Sequence, residues 1–384
     1  MNYYILLVTR FLSRILFVFP IKRNRILFYS FSGKQFSCSP KYISEYLKAN
    51  SKEPLEIIWA FNHPEEFEYI KKYGYKVIKY KSFIHAYYTV TSRVIVTNTG
   101  PFKAIANRDG QEIINTWHGG GAYKKTGMDN PYKNKLQYFY NKNLGQAGVT
   151  LFVSSSKLFT KYAIRGAFGY KGRVMECGLP RNDILLDKEK MNQIREDVRK
   201  TLRISQSEML ILYAPTWRNY SIDSFEKIDI EGLCNCVSEV YGKKSIFAFR
   251  GHSLSKNDMS SANIDILNLT DYPDMQELLI AADILISDYS SCIWDYSLLR
   301  KPGYLYAPDL KEYNVQFSFY TEIEKWGFPV AINNSELFSC IYQSVDNYKE
   351  RIKINHNYFQ NTESGSATRQ LSEYIWNCIK KEDE

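Results

Sequence analysis

From Arg25 onward, short apolar runs alternate with segments whose apolar residues recur at helical spacing. Ile26–Phe31 reads as a strand, followed by the loop Ser32-Gly33-Lys34-Gln35 and a helix with Ser39 as N-cap and Pro40 in its first turn. Leu55–Phe61, Lys76–Tyr80, Arg93–Thr97, Glu112–Thr116, Val149–Ser154 and Arg173–Cys177 continue the strand series, with a helix near Ser156–Gly166. Gly178-Leu179-Pro180-Arg181-Asn182-Asp183 interrupts the rhythm, and a polar helix is predicted from Lys188 to Leu202. A second series follows at Met209–Tyr213, Ser245–Phe249, Ile264–Asn268, Ile284–Ser287 and Gly303–Tyr306. Its clearest helix carries Met275, Leu278, Leu279 and Ala282 on one face. Two blocks of alternating strands and helices predict an α/β fold of two doubly wound, Rossmann-like domains. Residues 22–200 and 201–368 are the expected domains, with a last helix over 369–384. Ligands of such sheets bind beyond the carboxyl ends of the strands, so loops after strands are where chemistry is expected.

The first 21 residues have a different pattern. They are strongly apolar, yet lack the basic start and small-residue cleavage site of a secretory signal. A spanning helix is disfavoured, because Arg10 and Arg14 near its centre cost about 5–7 kcal/mol on the insertion scale. These arginines, with Thr9 and Ser13, form one polar stripe on an otherwise apolar helix. Lys22, Arg23 and Arg25 follow, and no acidic residue precedes Glu45. An amphipathic helix in the interface of an anionic membrane fits this pattern, with a plain buried helix as the other reading.

Composition narrows the function classes. Of 384 residues, 45% are hydrophobic and 24% charged, which excludes a predominantly disordered chain. The net charge of +9 suggests a polyanionic partner: nucleic acid, anionic lipid or a phosphorylated substrate. Nucleic acid ranks low, since the basic residues are dispersed and no DNA- or RNA-binding module is present. Seven scattered cysteines make neither a disulfide scaffold nor a zinc signature and fit a reducing compartment. Without a GxGxxG, a Walker lysine loop or a zinc motif, dehydrogenases, P-loop NTPases and metallohydrolases leave the leading group.

Four strand-end segments carry candidate chemistry. In Thr116-Trp117-His118-Gly119-Gly120-Gly121, a histidine just past a strand is placed as a general base or is a hydrogen-bonded structural residue. Tyr213-Ala214-Pro215-Thr216-Trp217-Arg218 offers a hydroxyl and a guanidinium suited to phosphate, unless both are ordinary loop residues. In Phe249-Arg250-Gly251-His252-Ser253, Arg250 and His252 point the same way in extended chain and could face one anion. In Ser287-Asp288-Tyr289-Ser290-Ser291, two hydroxyls at a helix start make either a phosphate site or a simple cap. Asp295, one turn further, is placed to reach sugar hydroxyls.

Taken in this order, the segments resemble the CDP-glycerol glycerophosphotransferase family, the teichoic-acid and capsule polymer synthases. The resemblance runs from about Asn24 and rests on Ser30–Lys34, Trp117-His118-Gly119, Gly178–Asp183, Ala214–Arg218, Ser287–Ser291, Lys301-Pro302, Tyr306, Asp309, Tyr313 and Asn361–Ala367. It implies a GT-B-type pair of domains facing a cleft, at the cytoplasmic face of the membrane. It also implies transfer of glycerol phosphate from CDP-glycerol to a hydroxyl of a lipid-linked glycan or growing polymer. By the resemblance, His118 and His252 are catalytic, His118 as base and His252 with Arg250 on the pyrophosphate. Thr216, Arg218, Ser290 and Ser291 would bind donor phosphates and Asp295 the ribose, while Gly33, Lys34, Gly119 and Lys125 are candidates for the acceptor side. No cofactor is implied beyond the CDP-glycerol substrate, and a divalent metal is left open. Gly120-Gly121 and Ser253 depart from the Thr-Pro and His-Pro usual in the family, the first beside the expected acceptor. CDP-ribitol as donor, or sugar transfer from a nucleotide sugar, remain the alternatives.

Overall fold

The computed structural model describes residues 3–130, 138, 142–216, 228–251, 266–343 and 347–380. Its first sheet has seven parallel strands in the order β3-β2-β1-β4-β5-β6-β7. These are β1 Lys22–Tyr29, β2 Glu56–Phe61, β3 Lys76–Lys79, β4 Ser92–Thr97, β5 Glu112–Asn115, β6 Leu151–Ser154 and β7 Arg173–Glu176. The second sheet has six parallel strands in the order β10-β9-β8-β11-β12-β13. They are β8 Met209–Tyr213, β9 Ser245–Phe249, β10 Ile266–Asn268, β11 Ile284–Ser287, β12 Gly303–Tyr306 and β13 Val330–Ala331. The buried stretches of the central strands are continuous apolar runs because helices cover both faces; Ile26, Leu27, Phe28 and Ile284, Leu285, Ile286 are all buried.

Each sheet reverses its strand order once, between β1 and β4 in the first and between β8 and β11 in the second. These switch points open crevices at the carboxyl ends of the strands. The loops leaving β1, β4 and β5 carry Phe31–Gln35, Asn98 and His118, and those leaving β8, β9 and β11 carry Thr216, Arg250 and Ser290–Ser291. Both sets, Gly33 and Asn98 excepted, line one cleft.

Several local expectations change. The helix after β1 begins at Cys38 rather than after Ser39, with Ser37 at the N-cap position and Ser39 buried. Cys38 there takes a left-handed φ of 61°. The predicted helix at Ser156–Gly166 is one α-helical turn followed by a π-helix over Thr160–Ala167. The short β13 was not predicted. The start of the expected strand at Ile264 lies outside the described residues.

The helix Ala367–Lys380 returns to the first sheet, where Ala367, Leu371 and Ile375 pack with Ile26, Phe28, Val94 and Val96. Its start is held by Asp183, whose carboxylate accepts from the amides of Ala367 and Thr368 at 3.1 and 2.7 Å.

At the amino end, the α-helix Tyr3–Leu12 continues as a 3-10 helix over Ser13–Val18. Two members of the polar stripe, Arg10 and Ser13, face inward. Arg10 donates to the carbonyls of Lys103 and Ile105, and the Ala106 amide donates to Ser13. Arg14 instead stays exposed. Leu6, Leu16 and Phe17 pack against the domain, while other apolar side chains face out, with Phe11 67%, Ile15 73% and Val18 79% exposed. Arg25 is not part of a surface basic run; it is buried against Glu56 and Thr91. Among the described residues no helix is long and apolar enough to cross a membrane.

Candidate active site

The cleft encloses about 970 Å³ between the two sheets. Of the residues singled out by sequence, His118, Gly119, Lys34 and Lys125 line it from the first sheet, and Thr216, Arg250, Ser290 and Ser291 from the second. Gly33 does not. It sits at φ +83°, where an added Cβ would lie 2.9 Å from the Tyr80 ring, so its role is the turn and the close approach to Tyr80. Arg218 and His252 lie outside the described residues.

His118 is fixed by its own loop and by the loop after β4. Its Nδ1 is 2.7 Å from the carbonyl oxygen of Asn98. A carbonyl only accepts, so Nδ1 carries the proton and Nε2 keeps its lone pair. Burial pushes the imidazole pKa down to about 4, with Arg181 and Lys124 acting the same way, so the ring is neutral at pH 7. The residue before it, Trp117, takes a left-handed φ of 54°, a strained turn at the cleft wall.

The glycines after His118 do more than expose amides. A Cβ on Gly120 would lie 1.9 Å from Trp294 Cδ1, and one on Gly119 3.4 Å from Ser291. The histidine loop therefore packs directly onto the serine loop of the opposite sheet. Trp294 is held in turn by a 3.1 Å bond from Nε1 to Glu363 Oε1. Glu363 also accepts from the Leu179 amide and from Asn182, and burial raises its carboxyl to about 8.

On the second sheet, the amide of Thr216 donates to Asp288 at 2.8 Å, tying the β8 and β11 loops together at the switch point. Ser291 occupies the N-cap position of the helix Cys292–Ser297, but without a side-chain cap bond; Ser290 Oγ instead accepts weakly from the Cys292 amide at 3.4 Å. Among the described residues Arg250 donates to two neutral acceptors, the Tyr272 carbonyl at 3.0 Å and Met275 Sδ at 2.8 Å. Burial lowers its pKa, opposed by the nearby Asp274 carboxylate, and the guanidinium faces the cleft.

Asp295 corrects the sequence expectation. It is buried, and its two oxygens accept from Arg181 Nε and Nη2, Asn182 Nδ2 and Gln276 Nε2 at 3.0–3.1 Å. Four donors fill a carboxylate's acceptor sites, leaving none for a ribose. Sequence reasoning missed Arg181, Gln276, Asp288 and Glu363. The Gly178–Asp183 break was the available signal: Gly178 takes φ +88° against Glu363, and the next residues bond across the interface. Among the described residues no cluster of His, Cys, Asp or Glu has the makings of a metal site.

The family model described as CDP-glycerol:poly(glycerophosphate) glycerophosphotransferase matches residues 11–377. The chain belongs to this family. It is 29% identical over 385 residues to the teichoic acid poly(glycerol phosphate) polymerase of Bacillus spizizenii, covering 94% of each chain. It is also 28% identical over 338 residues to a teichoic acid ribitol-phosphate polymerase of Staphylococcus aureus, covering 85% of this chain and 57% of that one. Among solved structures, the wall teichoic acid polymerase TagF superposes with a TM-score of 0.81 at 25% identity, covering 96% of this chain and 93% of the other. The family thus includes relatives named for either alditol, and its fold is the two-sheet, GT-B-like arrangement found here.

Proposed function

We propose that the chain transfers glycerol phosphate from CDP-glycerol to a hydroxyl of a lipid-linked glycan or growing teichoic-acid-type polymer. The observation that carries this is the opposition, across one cleft, of a neutral histidine that keeps its Nε2 lone pair to a buried arginine and two serines. The donor pyrophosphate sits against Arg250, Ser290 and Ser291. The acceptor hydroxyl approaches from the His118 side and gives its proton to Nε2. As the new O–P bond forms at the β-phosphorus, the bond to the CMP oxygen breaks and CMP leaves with the electron pair. Arg250 and the serine loop stabilise charge growing on the leaving group. Negative charge on the bound donor raises the His118 pKa from its low resting value, so the base strengthens when it is needed.

The exposed apolar face of the first helices supports binding to the inner membrane surface, where a lipid-linked acceptor is presented. Lys22 and Arg23 are exposed beside it and suit anionic headgroups.

The test is product analysis. The purified enzyme is incubated with a short lipid-phosphate glycan and, separately, CDP-glycerol or UDP-sugars. CMP together with an acceptor gaining glycerol phosphate is expected; UDP and a glycosidic bond would place the chemistry in sugar transfer instead.

A further inference from the structure

Beyond His118 and Arg250 the cleft continues into a recess of about 160 Å³. Gln35, His118, Arg250, Met275, Ser290 and Ser291 are among the residues that border both spaces, so they form the rim between the recess and the larger cleft. The interior of the recess is unlike the rim. Its floor is the Arg181–Asp295 pair, in which the two charges cancel and the carboxylate is fully hydrogen-bonded. What remains is uncharged: the amide of Gln276 and the hydroxyl of Ser37 lie inside beside Cys38 and Pro273, and the amide of Gln35 stands at the mouth with Phe31, Met275 and Cys292.

Those amides have capacity to spare. Gln276 uses Nε2 on Asp295, and Gln35 uses Oε1 on Ser37. Among the described residues, Gln276 Oε1 and Gln35 Nε2 have no hydrogen-bond partner, which leaves one acceptor and one donor for a ligand's hydroxyls.

We propose that this recess is the alditol subsite of the donor, built for glycerol and too small for ribitol, with Gln35 and Gln276 reading its hydroxyls. The inference rests on the CDP-alditol reading above and deepens it. A cavity of about 150 Å³ holds benzene, a ligand of six heavy atoms. Glycerol also has six, whereas ribitol has ten. The alditol is tethered through its phosphate to the rim, so a longer chain cannot slide outward without pulling the β-phosphorus away from His118 and Arg250. A charge-neutral floor with amide ends suits a polyol and offers nothing to a second anion. Neither glutamine forms a bond or moves a proton in the transfer; both act on which donor is held.

The experiment compares kcat/KM for CDP-glycerol and CDP-ribitol with one acceptor, in the wild type, Gln35→Ala and Cys38→Gly, with CDP binding by calorimetry as a control. Gln35 is exposed, so its truncation spares the fold, and Gly suits the left-handed backbone at Cys38 while widening the recess. The wild type is expected to prefer CDP-glycerol by about 100-fold or more. Gln35→Ala should raise KM for CDP-glycerol about tenfold with kcat and CDP affinity little changed. Cys38→Gly should narrow the preference. Equal use of both donors by the wild type overturns the subsite while leaving the transfer chemistry standing, as does a preference that neither variant alters. If neither donor releases CMP although CDP binds, the CDP-alditol reading fails and the subsite falls with it.

Discussion

Arg181 Nε and Nη2 meet the two carboxylate oxygens of Asp295 at 3.0 and 3.1 Å, joining the loop after β7 to the helix after β11. Both side chains are nearly inaccessible, so each charge depends on the other. Asp295→Asn or Arg181→Ala alone leaves a buried charge without its counterion and is expected to lose about 3–5 kcal/mol, read as a lower urea midpoint. The paired replacement Arg181→Met with Asp295→Leu should recover much of that loss. Equal damage from the single and paired variants would count against the charge argument.

For His118, removal of the imidazole in His118→Ala is expected to lower turnover by about 10²–10⁴-fold with CDP-glycerol affinity nearly unchanged. A fully active variant would remove the base from the mechanism. Because burial holds the free histidine near 4, the acid limb of kcat/KM should fall near pH 4 rather than near 6.5, while that of kcat lies higher because the bound donor is anionic.

Acid stability is set partly by histidines that the chemistry does not use. His85, buried among Tyr29, Tyr80 and Phe102, is pushed down to about 3, and His356 to about 4. Their folded values lie below the unfolded 6.5, so the unfolded chain binds more protons in between. Their contribution is complete above pH 6.5 and is lost as pH falls toward 4 and below. Glu363, raised to about 8, acts in the opposite sense between about 4.5 and 8. The difference between the wild type and His85→Phe isolates one histidine: melting temperature of the variant should fall less between pH 6.5 and 4. Parallel curves would refute the assignment.

Gly120→Ala places a methyl inside the Trp294 ring edge. Trp294 has no room to yield, since it is fully buried and hydrogen-bonded to Glu363. The loop carrying His118 must shift, and an overpacking cost of about 1–3 kcal/mol is expected along with a loss of activity larger than stability explains. Thermal unfolding and single-turnover rates measure the two effects separately.

At the membrane, Phe11→Glu with Ile15→Glu and Val18→Glu should abolish flotation with anionic liposomes and spare transfer to a soluble acceptor, because these side chains leave the protein surface. Unchanged flotation would assign membrane binding elsewhere or nowhere.

Apart from the two-residue β13, the strands of both sheets were legible because buried parallel strands contain continuous apolar runs bounded by turn residues, as at Ile284–Ser287 and Gly303–Tyr306. The loops that meet in the cleft were legible for the same reason, since they follow those strands. Partnership across the chain was not. Asp295 reads the same in sequence whether it faces a ribose or Arg181, and only the fold brings residue 181 to it. The inward turn of Arg10 was equally hidden, because its acceptors are backbone carbonyls at 103 and 105 that no side-chain pattern announces.

The return of the last helix to the first sheet carries a consequence for how the molecule comes apart. The second sheet is spliced into the first unit rather than appended to it, so the polypeptide crosses between the halves twice. Without residues 367–380 the apolar face of Ile26, Phe28 and Val94 keeps only part of its cover, from Ile43 and Leu47, and the rest arrives only once everything between has been made. A ribosome therefore cannot release a finished first half while the second is still being synthesised, and a protease cutting between the halves yields two pieces that still hold on to each other.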